Sequence, residues 1–154
     1  MSRRHLPPLP PPSPSALRRR GAGEGRGEGK ARARLQLPRD AEQVELHLAG
    51  RSVRLTNLKK LFWPELGLTK RDLLQYYADV APVLLPHLKD RAMVMKRYPH
   101  GASGDFFFMK RAPSPRPDWI EICSIKHASG NVIDFPMIQD LAALLWVVIS
   151  AAST

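Results

Sequence analysis

Alternating apolar and polar side chains mark the first regular element of the chain. The stretch VELHLAGRSVRLTN, residues 44–57, alternates on both sides of a turn at Ala49 and Gly50. A period of two is typical of a strand that buries one face. The stretch therefore predicts a two-stranded hairpin, and it places the start of folded structure near Val44.

A helical period replaces this alternation after Thr69. Thr69 has the character of an N-cap, and Asp72 stands three residues later, where a capping box places its second partner. The apolar positions that follow at helical spacing are Leu73, Leu74, Tyr77, Val80, Ala81 and Leu84. The pattern predicts a helix with one apolar face, which Pro82 should kink or divide in two.

Four strand-like stretches follow. We expect AMVMKRYP (92–99) to pair with DFFFMKR (105–111) across the turn HGASG. We expect WIEICSIKH (119–127) and VIDFPMI (132–138) to form a ribbon joined by ASGN. Pro136 cannot donate a ladder hydrogen bond, which predicts an edge or an end of its strand.

The run LAALLWVVISAA, residues 141–152, is apolar on every side of a helical projection. Such a run predicts a helix buried all round, with Asp140 as its cap. The run is too short to span a bilayer. Strands and helices in this order predict an α+β fold.

Charge is concentrated at the N-terminus. The 154 residues carry a net charge of +10, yet residues 1–40 hold ten cationic and three acidic side chains, so the remaining 114 residues carry only +3. The blocks PPLPPPSP and GAGEGRGEGK cannot bury enough apolar surface to fold. We therefore predict a disordered basic tail at residues 1–42 and a folded part at 43–154. The tail is either a solvated leader or an arm with non-specific affinity for nucleic acid.

The sequence contains no complete active-site motif. Paired carboxylates, a Gly-rich phosphate loop and a nucleophile motif are all missing from the sequence. His87, His100 and His127 are scattered, and each is typical of a surface or turn residue.

The single cysteine, Cys123, excludes an internal disulfide and a cysteine-based zinc site. With no signal peptide, the chain is expected to be intracellular.

Cationic and amide side chains gather near aromatic ones in LTNLKKLFWPELGLTKRDLLQYY, residues 55–77. Lys70 falls in the first turn of the predicted helix, where unpaired backbone N–H groups and the positive helix end favour an anion. A phosphate bound between Lys60, Lys70 and that helix end would fit this arrangement. The alternative is that both are ordinary solvated lysines.

The pattern TNxxKxxWPxxGxTKxDLxxYY, followed by FFxK, PDWI, HASG and DLAALLW, resembles the polymerase domain of bacterial ATP-dependent DNA ligase D. That domain belongs to the archaeo-eukaryotic primase superfamily and serves non-homologous end joining. The resemblance covers about residues 51–148. It implies a primase-polymerase-like fold in a bacterial, cytoplasmic, nucleoid-associated protein.

The resemblance also implies roles for individual residues. It assigns binding of the DNA 5′-phosphate to Asn57, Lys60 and Lys70. It assigns template contact to Phe107, Phe108 and Lys110, which leaves Phe106 for the core or for support of the strand. It assigns a loop that brings two DNA ends together to His127, Ser129 and Gly130. The implied partners are DNA ends or gapped duplex DNA, together with the Ku protein and ligase modules of the family system.

The resemblance stops within the last helix. Relatives continue with a segment like NLGALELHPW and a strand like FDLDP, whose aspartates hold the catalytic metals, whereas this chain reads WVVISAAST. The complete family domain uses Mn²⁺ or Mg²⁺ and nucleoside triphosphates. We expect no catalytic residue, metal or cofactor in this chain, which would be the N-terminal portion of the domain, truncated before the acidic strand.

Three alternatives remain open at this point. The chain is a non-catalytic protein that binds DNA ends, an inactive gene fragment, or a basic-tailed module with an unrelated partner. Two-metal phosphoryl transfer by these residues alone would lack the carboxylates it needs.

Overall fold

The computed structural model describes residues 34–153 of the chain. Most of the predicted tail, residues 1–33, therefore lies outside the described residues. In chain order the elements are β1 (Val44–Leu48), β2 (Arg51–Leu55), β3 (Leu61–Trp63), a 3₁₀ turn (Pro64–Leu66), β4 (Leu68–Thr69), α1 (Lys70–Leu88), β5 (Met95–Arg97), β6 (Phe107–Met109), β7 (Ile122–Lys126), β8 (Val132–Pro136) and α2 (Leu141–Ala151).

The strands form small antiparallel ribbons. Within residues 34–153 the pairs are β1 with β2, β3 with β4, β5 with β6, and β7 with β8. Val44 lies opposite Leu55 in the first ribbon, which confirms the predicted hairpin. The other two predicted pairings are confirmed as well, and Pro136 is the last residue of β8. Two helices among these ribbons confirm the predicted α+β class.

Helix α1 begins where the sequence predicts it. Both halves of the capping box are present, since the Thr69 hydroxyl accepts from the Asp72 amide and the Asp72 carboxylate accepts from the Thr69 amide. The helix then runs unbroken to Leu88 with Pro82 and Pro86 inside it. Of the two predicted effects of Pro82, division of the helix does not occur, because packing of the buried face at Leu74 and Ala81 outweighs the backbone bond that Pro82 removes.

Helix α2 occupies the centre of the core. It packs against α1, β2 and β5. Its buried residues are Ala142, Ala143, Leu144, Leu145, Val147, Val148 and Ile149. The Asp140 carboxylate caps it by accepting from the Ala143 amide at 2.9 Å, and the same side chain pairs with Arg51 of β2. The predicted buried helix is thus confirmed.

No helix in the described part of the chain has the length and apolarity to cross a membrane.

The predicted domain boundary at residue 42 is corrected for residues 34–42. Leu37 is only 2% exposed and belongs to the core. The Gln75 side chain accepts from the Leu37 amide at 2.9 Å and donates to the Leu35 carbonyl at 2.8 Å, while the Arg71 guanidinium donates to the Leu37 carbonyl at 2.7 Å. The segment is a strap across α1. Its burial depends on partners more than 30 positions away, which local composition does not report.

The strap predicts a stability effect at Leu37. Truncation in Leu37→Ala should lower the free energy of unfolding by about 2 to 5 kcal/mol, because it removes a buried side chain and leaves a cavity. The neighbouring Gln36→Ala changes an exposed side chain and should have an effect within about 0.5 kcal/mol. Urea denaturation followed by circular dichroism measures both, and equal midpoints for the two variants would contradict the packing of the strap.

Candidate nucleic-acid interface

The loop at residues 57–60 is joined to the start of α1 by backbone hydrogen bonds. Asn57 has a φ of 56°, in the left-handed region where asparagine is among the more tolerant side chains. The Lys60 amide donates to the Asn57 carbonyl at 3.1 Å and closes the turn. Leu58 between them is fully buried and anchors the loop. The loop therefore holds Asn57, exposed, and Lys60, half-buried, beside the helix start.

The same hydrogen bonds occupy the N-terminal donors of the helix. The Lys70 amide donates to the Lys60 carbonyl at 2.8 Å, and the Arg71 amide donates to the Leu58 carbonyl at 3.0 Å. The Thr69 and Asp72 amides are satisfied by the capping box. The expectation that unpaired N–H groups of this turn favour an anion is therefore wrong. Any anion here has to be held by side chains.

The Lys70 side chain is fully buried, at 0% exposure. Its ammonium donates to the Ser153 hydroxyl at 2.9 Å. Burial, together with the nearby charge of Lys60, lowers the Lys70 pKa to about 8 from an ordinary 10.5. The alternative that Lys70 is an ordinary solvated lysine is wrong. Lys60 itself donates from Nζ to the Pro99 carbonyl at 2.7 Å.

No carboxylate balances these two lysines within the described residues. The ion pairs of residues 34–153 are Arg34 with Asp79, Arg51 with Asp140, and Arg71 with Asp72. Lys60 and Lys70 make hydrogen bonds only to neutral oxygens. A buried ammonium is ordinarily paired with an acid, since the loss of hydration costs several kcal/mol. Among residues 34–153, the pair is therefore an uncompensated positive site.

The β5–β6 ribbon presents an aromatic ring and a cation on each of its faces. Arg97 lies opposite Phe107 in the register, and its guanidinium is 5.4 Å from the centre of that ring. Lys96 lies opposite Phe108, and its ammonium is 3.8 Å from the centre of the Phe106 ring. Successive strand residues point to opposite faces, so Phe107 and Phe108 do not form one continuous surface.

All three phenylalanines are substantially exposed. The exposed fractions are 50% for Phe106, 47% for Phe107 and 65% for Phe108. Phe106 therefore does not belong to the core, which leaves the alternative that it supports the strand. Its ring packs edge-on against that of Phe108, with the ring centres 5.8 Å apart. Lys110, directly after the strand, is exposed too. This ribbon offers rings and cations to a ligand rather than to the core.

The loop between β7 and β8 is a tight turn. The His127 amide donates to the Asn131 carbonyl at 2.8 Å, and the Gly130 amide donates to the His127 carbonyl at 2.9 Å. Gly130 has a φ of 86°, a conformation that favours glycine. The His127 ring packs 6.3 Å from the Phe135 ring, whereas Ser129 and Gly130 are exposed at the tip.

Two residues near the lysines were missed by the sequence reasoning. The Arg97 guanidinium donates to the Ser153 carbonyl at 2.8 Å, so Arg97 and Lys70 meet at the same residue. The strand pattern of MKRYP places Arg97 but gives no sign of its partner. Ser153 carries no sequence signal, because its role depends on the fold of residues 83 positions away.

No group of three or more His, Cys, Asp or Glu side chains in residues 34–153 is placed to hold a metal ion. The described residues therefore do not fit the two metals that the family resemblance implies.

Comparison with known proteins identifies the family of this chain. The family model described as "LigD, primase-polymerase domain" matches residues 69–153. The multifunctional non-homologous end joining protein LigD of Mycolicibacterium smegmatis is 40% identical over 95 residues, which are 62% of this chain and 12% of that protein. The bifunctional non-homologous end joining protein LigD of Bacillus subtilis is 36% identical over 95 residues, 62% of this chain and 15% of that protein.

A solved structure gives the same result. The polymerase domain from Mycobacterium tuberculosis ligase D in complex with DNA is similar with a TM-score of 0.61 and 36% sequence identity. The match covers 65% of this chain and 34% of that one. The primase-polymerase-like fold is thereby confirmed. The chain spans 12% to 15% of the length of the curated relatives named above.

The buried ammonium predicts a dependence of stability on pH. Unfolded Lys70 keeps a pKa near 10.5, whereas the folded value is about 8, so between these values the unfolded chain binds the extra proton. The penalty for burying the charge is full below pH 8 and disappears as pH rises to 10.5. Relative to Lys70→Met, the free energy of unfolding of the parent should rise by up to about 3 kcal/mol across this window.

Urea denaturation of both proteins at several pH values measures this difference. The methionine variant is the matched control, because it keeps an unbranched side chain of similar length and cannot titrate. The hydrogen bond to Ser153 is lost as well, but that loss is not expected to vary with pH. A difference between parent and variant that stays constant from pH 7.5 to 10.5 would contradict the buried, uncompensated ammonium.

Proposed function

The chain belongs to the family of the LigD primase-polymerase domain, and on this premise we propose that it recognises 5′-phosphorylated DNA ends or gaps in non-homologous end joining. Asn57, Lys60 and Lys70 would bind the terminal phosphate. The observation that carries the proposal is the fully buried Lys70 ammonium, next to Lys60 and without a described carboxylate. A terminal phosphate supplies the negative charge that this pair lacks.

The chemistry of the two lysines suits a terminal phosphate. An ammonium is a compact point charge that can donate to several oxygens, and a terminal phosphate carries more negative charge than a phosphodiester. The exposed amide of Asn57 would add a directed hydrogen bond from the same loop. Because the helix N–H groups are already occupied, selectivity for the phosphate would depend on these side chains alone.

The β5–β6 ribbon would contact the template strand. Phe107 and Phe108 are exposed on opposite faces, and Lys110 follows them. A base stacked on an aromatic ring contributes roughly 1 to 3 kcal/mol. With one ring on each face, each ring would take a separate base or sugar, as at a bend in the strand. The neighbouring Lys96 and Arg97 supply charge for the backbone.

The β7–β8 turn would help to hold a second DNA end. His127 supports the turn by packing on Phe135, and Ser129 and Gly130 are exposed at its tip. We infer that Ku and ligase modules of the family system act on the same ends, in the nucleoid. Mn²⁺ or Mg²⁺ and nucleoside triphosphates serve the complete domain of the family, and no step proposed for these residues passes through a metal.

The proposal predicts a preference for the phosphorylated end. The chain should bind gapped duplex DNA that carries a 5′-phosphate at the gap at least about tenfold more tightly than the same DNA with a 5′-hydroxyl. Lys60→Ala and Lys70→Ala should each remove most of this preference, because a charge-assisted hydrogen bond contributes about 1.5 to 3 kcal/mol. Fluorescence anisotropy at fixed salt measures all six affinities, those of the parent and the two variants for each of the two DNAs.

Lys59→Ala is the matched control. Lys59 is exposed beside Lys60 in the same loop, so its removal should lower both affinities equally and leave the preference intact. Equal binding of the parent to both DNAs would contradict the proposal. It would leave only the salt-sensitive affinity that a basic segment provides.

A further inference from the structure

Two cations converge on one residue at the end of α2. The Lys70 ammonium donates to the hydroxyl oxygen of Ser153 at 2.9 Å, and the Arg97 guanidinium donates to its carbonyl oxygen at 2.8 Å. Both acceptors are neutral, and they belong to the same small residue. The hydroxyl and carbonyl oxygens of Ser153 thus accept from the two cations in the way that two oxygens of one phosphate could.

Arg97 has donor capacity that the described residues do not use. Its Nε is buried and has no hydrogen-bond partner within residues 34–153. Its second terminal nitrogen contacts the Met109 sulfur at 3.5 Å, and a thioether is a weak acceptor. A buried N–H without a partner is destabilising. The guanidinium is therefore held in place by Phe107 and Ser153 but is incompletely satisfied.

We propose that Arg97 is a further ligand of the DNA terminal phosphate, and that Ser153 occupies the phosphate position in the DNA-free chain. The inference rests on the proposed function. It adds Arg97 to the residues that bind the phosphate, and it makes Ser153 a competitor of the phosphate. On binding, the phosphate displaces Ser153 and accepts hydrogen bonds from Lys70 and Arg97. The planar guanidinium fork matches two phosphate oxygens, and charge-assisted bonds replace bonds to neutral oxygens.

The position of Arg97 also connects the two parts of the interface. Its guanidinium lies over the Phe107 ring on one side and reaches Ser153, and through it Lys70, on the other. A phosphate held by Arg97 would therefore fix the guanidinium against the ring that the proposal assigns to the template. The lowered Lys70 pKa is consistent with a site that lacks its anion.

Anisotropy titrations with gapped DNA, with and without the 5′-phosphate, test the inference. Arg97→Gln should lose at least about tenfold of the preference for the phosphorylated DNA. Ser153→Asp places a carboxylate against both cations and should abolish the preference. Ser153→Ala removes the competing hydroxyl and should increase the preference severalfold. Arg91→Gln, which removes an exposed charge before β5, should leave it unchanged.

The outcomes separate this inference from the proposed function. If the parent shows no preference for the phosphate, the proposed function fails. If the parent shows the preference and both Arg97→Gln and Ser153→Asp retain it, only the role of Arg97 and Ser153 is overturned. Circular dichroism checks folding of each variant. Should Arg97→Gln fail to fold, the opposite effects expected of Ser153→Asp and Ser153→Ala decide the question.

Discussion

The buried charge of Lys70 is the constraint on which the interface depends. An ammonium removed from water is ordinarily neutralised by a carboxylate, yet this one donates to a serine hydroxyl and lies near a second lysine. The chain bears this cost within its own core. A site that stays positive and dehydrated is prepared for an anion, because the desolvation of the protein groups has already been completed during folding.

The surrounding fold is organised to hold that charge in place. The strap at Leu37 and the capping box at Thr69 fix the start of α1, and the loop that carries Lys60 closes on the same turn. Helix α2 fills the centre of the core, and Ser153, two residues after its end, accepts a hydrogen bond from the Lys70 ammonium. Since every N-terminal amide of α1 already has a partner, the helix serves as a rigid support and the side chains provide the recognition.

Local patterns predicted most of the elements, and distant contacts account for what they missed. The Thr69 and Asp72 cap lies within four residues, and the hairpin at Ala49 depends on alternation and a turn, so both could be predicted. The strap at Leu37 and the hydrogen bond from Lys70 to Ser153 join residues far apart in the chain, where a single sequence gives no signal. Charge and placement did identify Lys60 and Lys70 as candidates. They did not predict that one would be buried, or that the helix amides would be occupied.

The direct test of this account is the pKa of Lys70 measured by NMR through its side-chain carbon and nitrogen resonances. In the DNA-free chain we expect a pKa near 8, with a clear rise when gapped DNA with a 5′-phosphate is added and a smaller change with the 5′-hydroxyl form. A pKa near 10.5 in the free chain, or the same pKa with both DNAs, would contradict it.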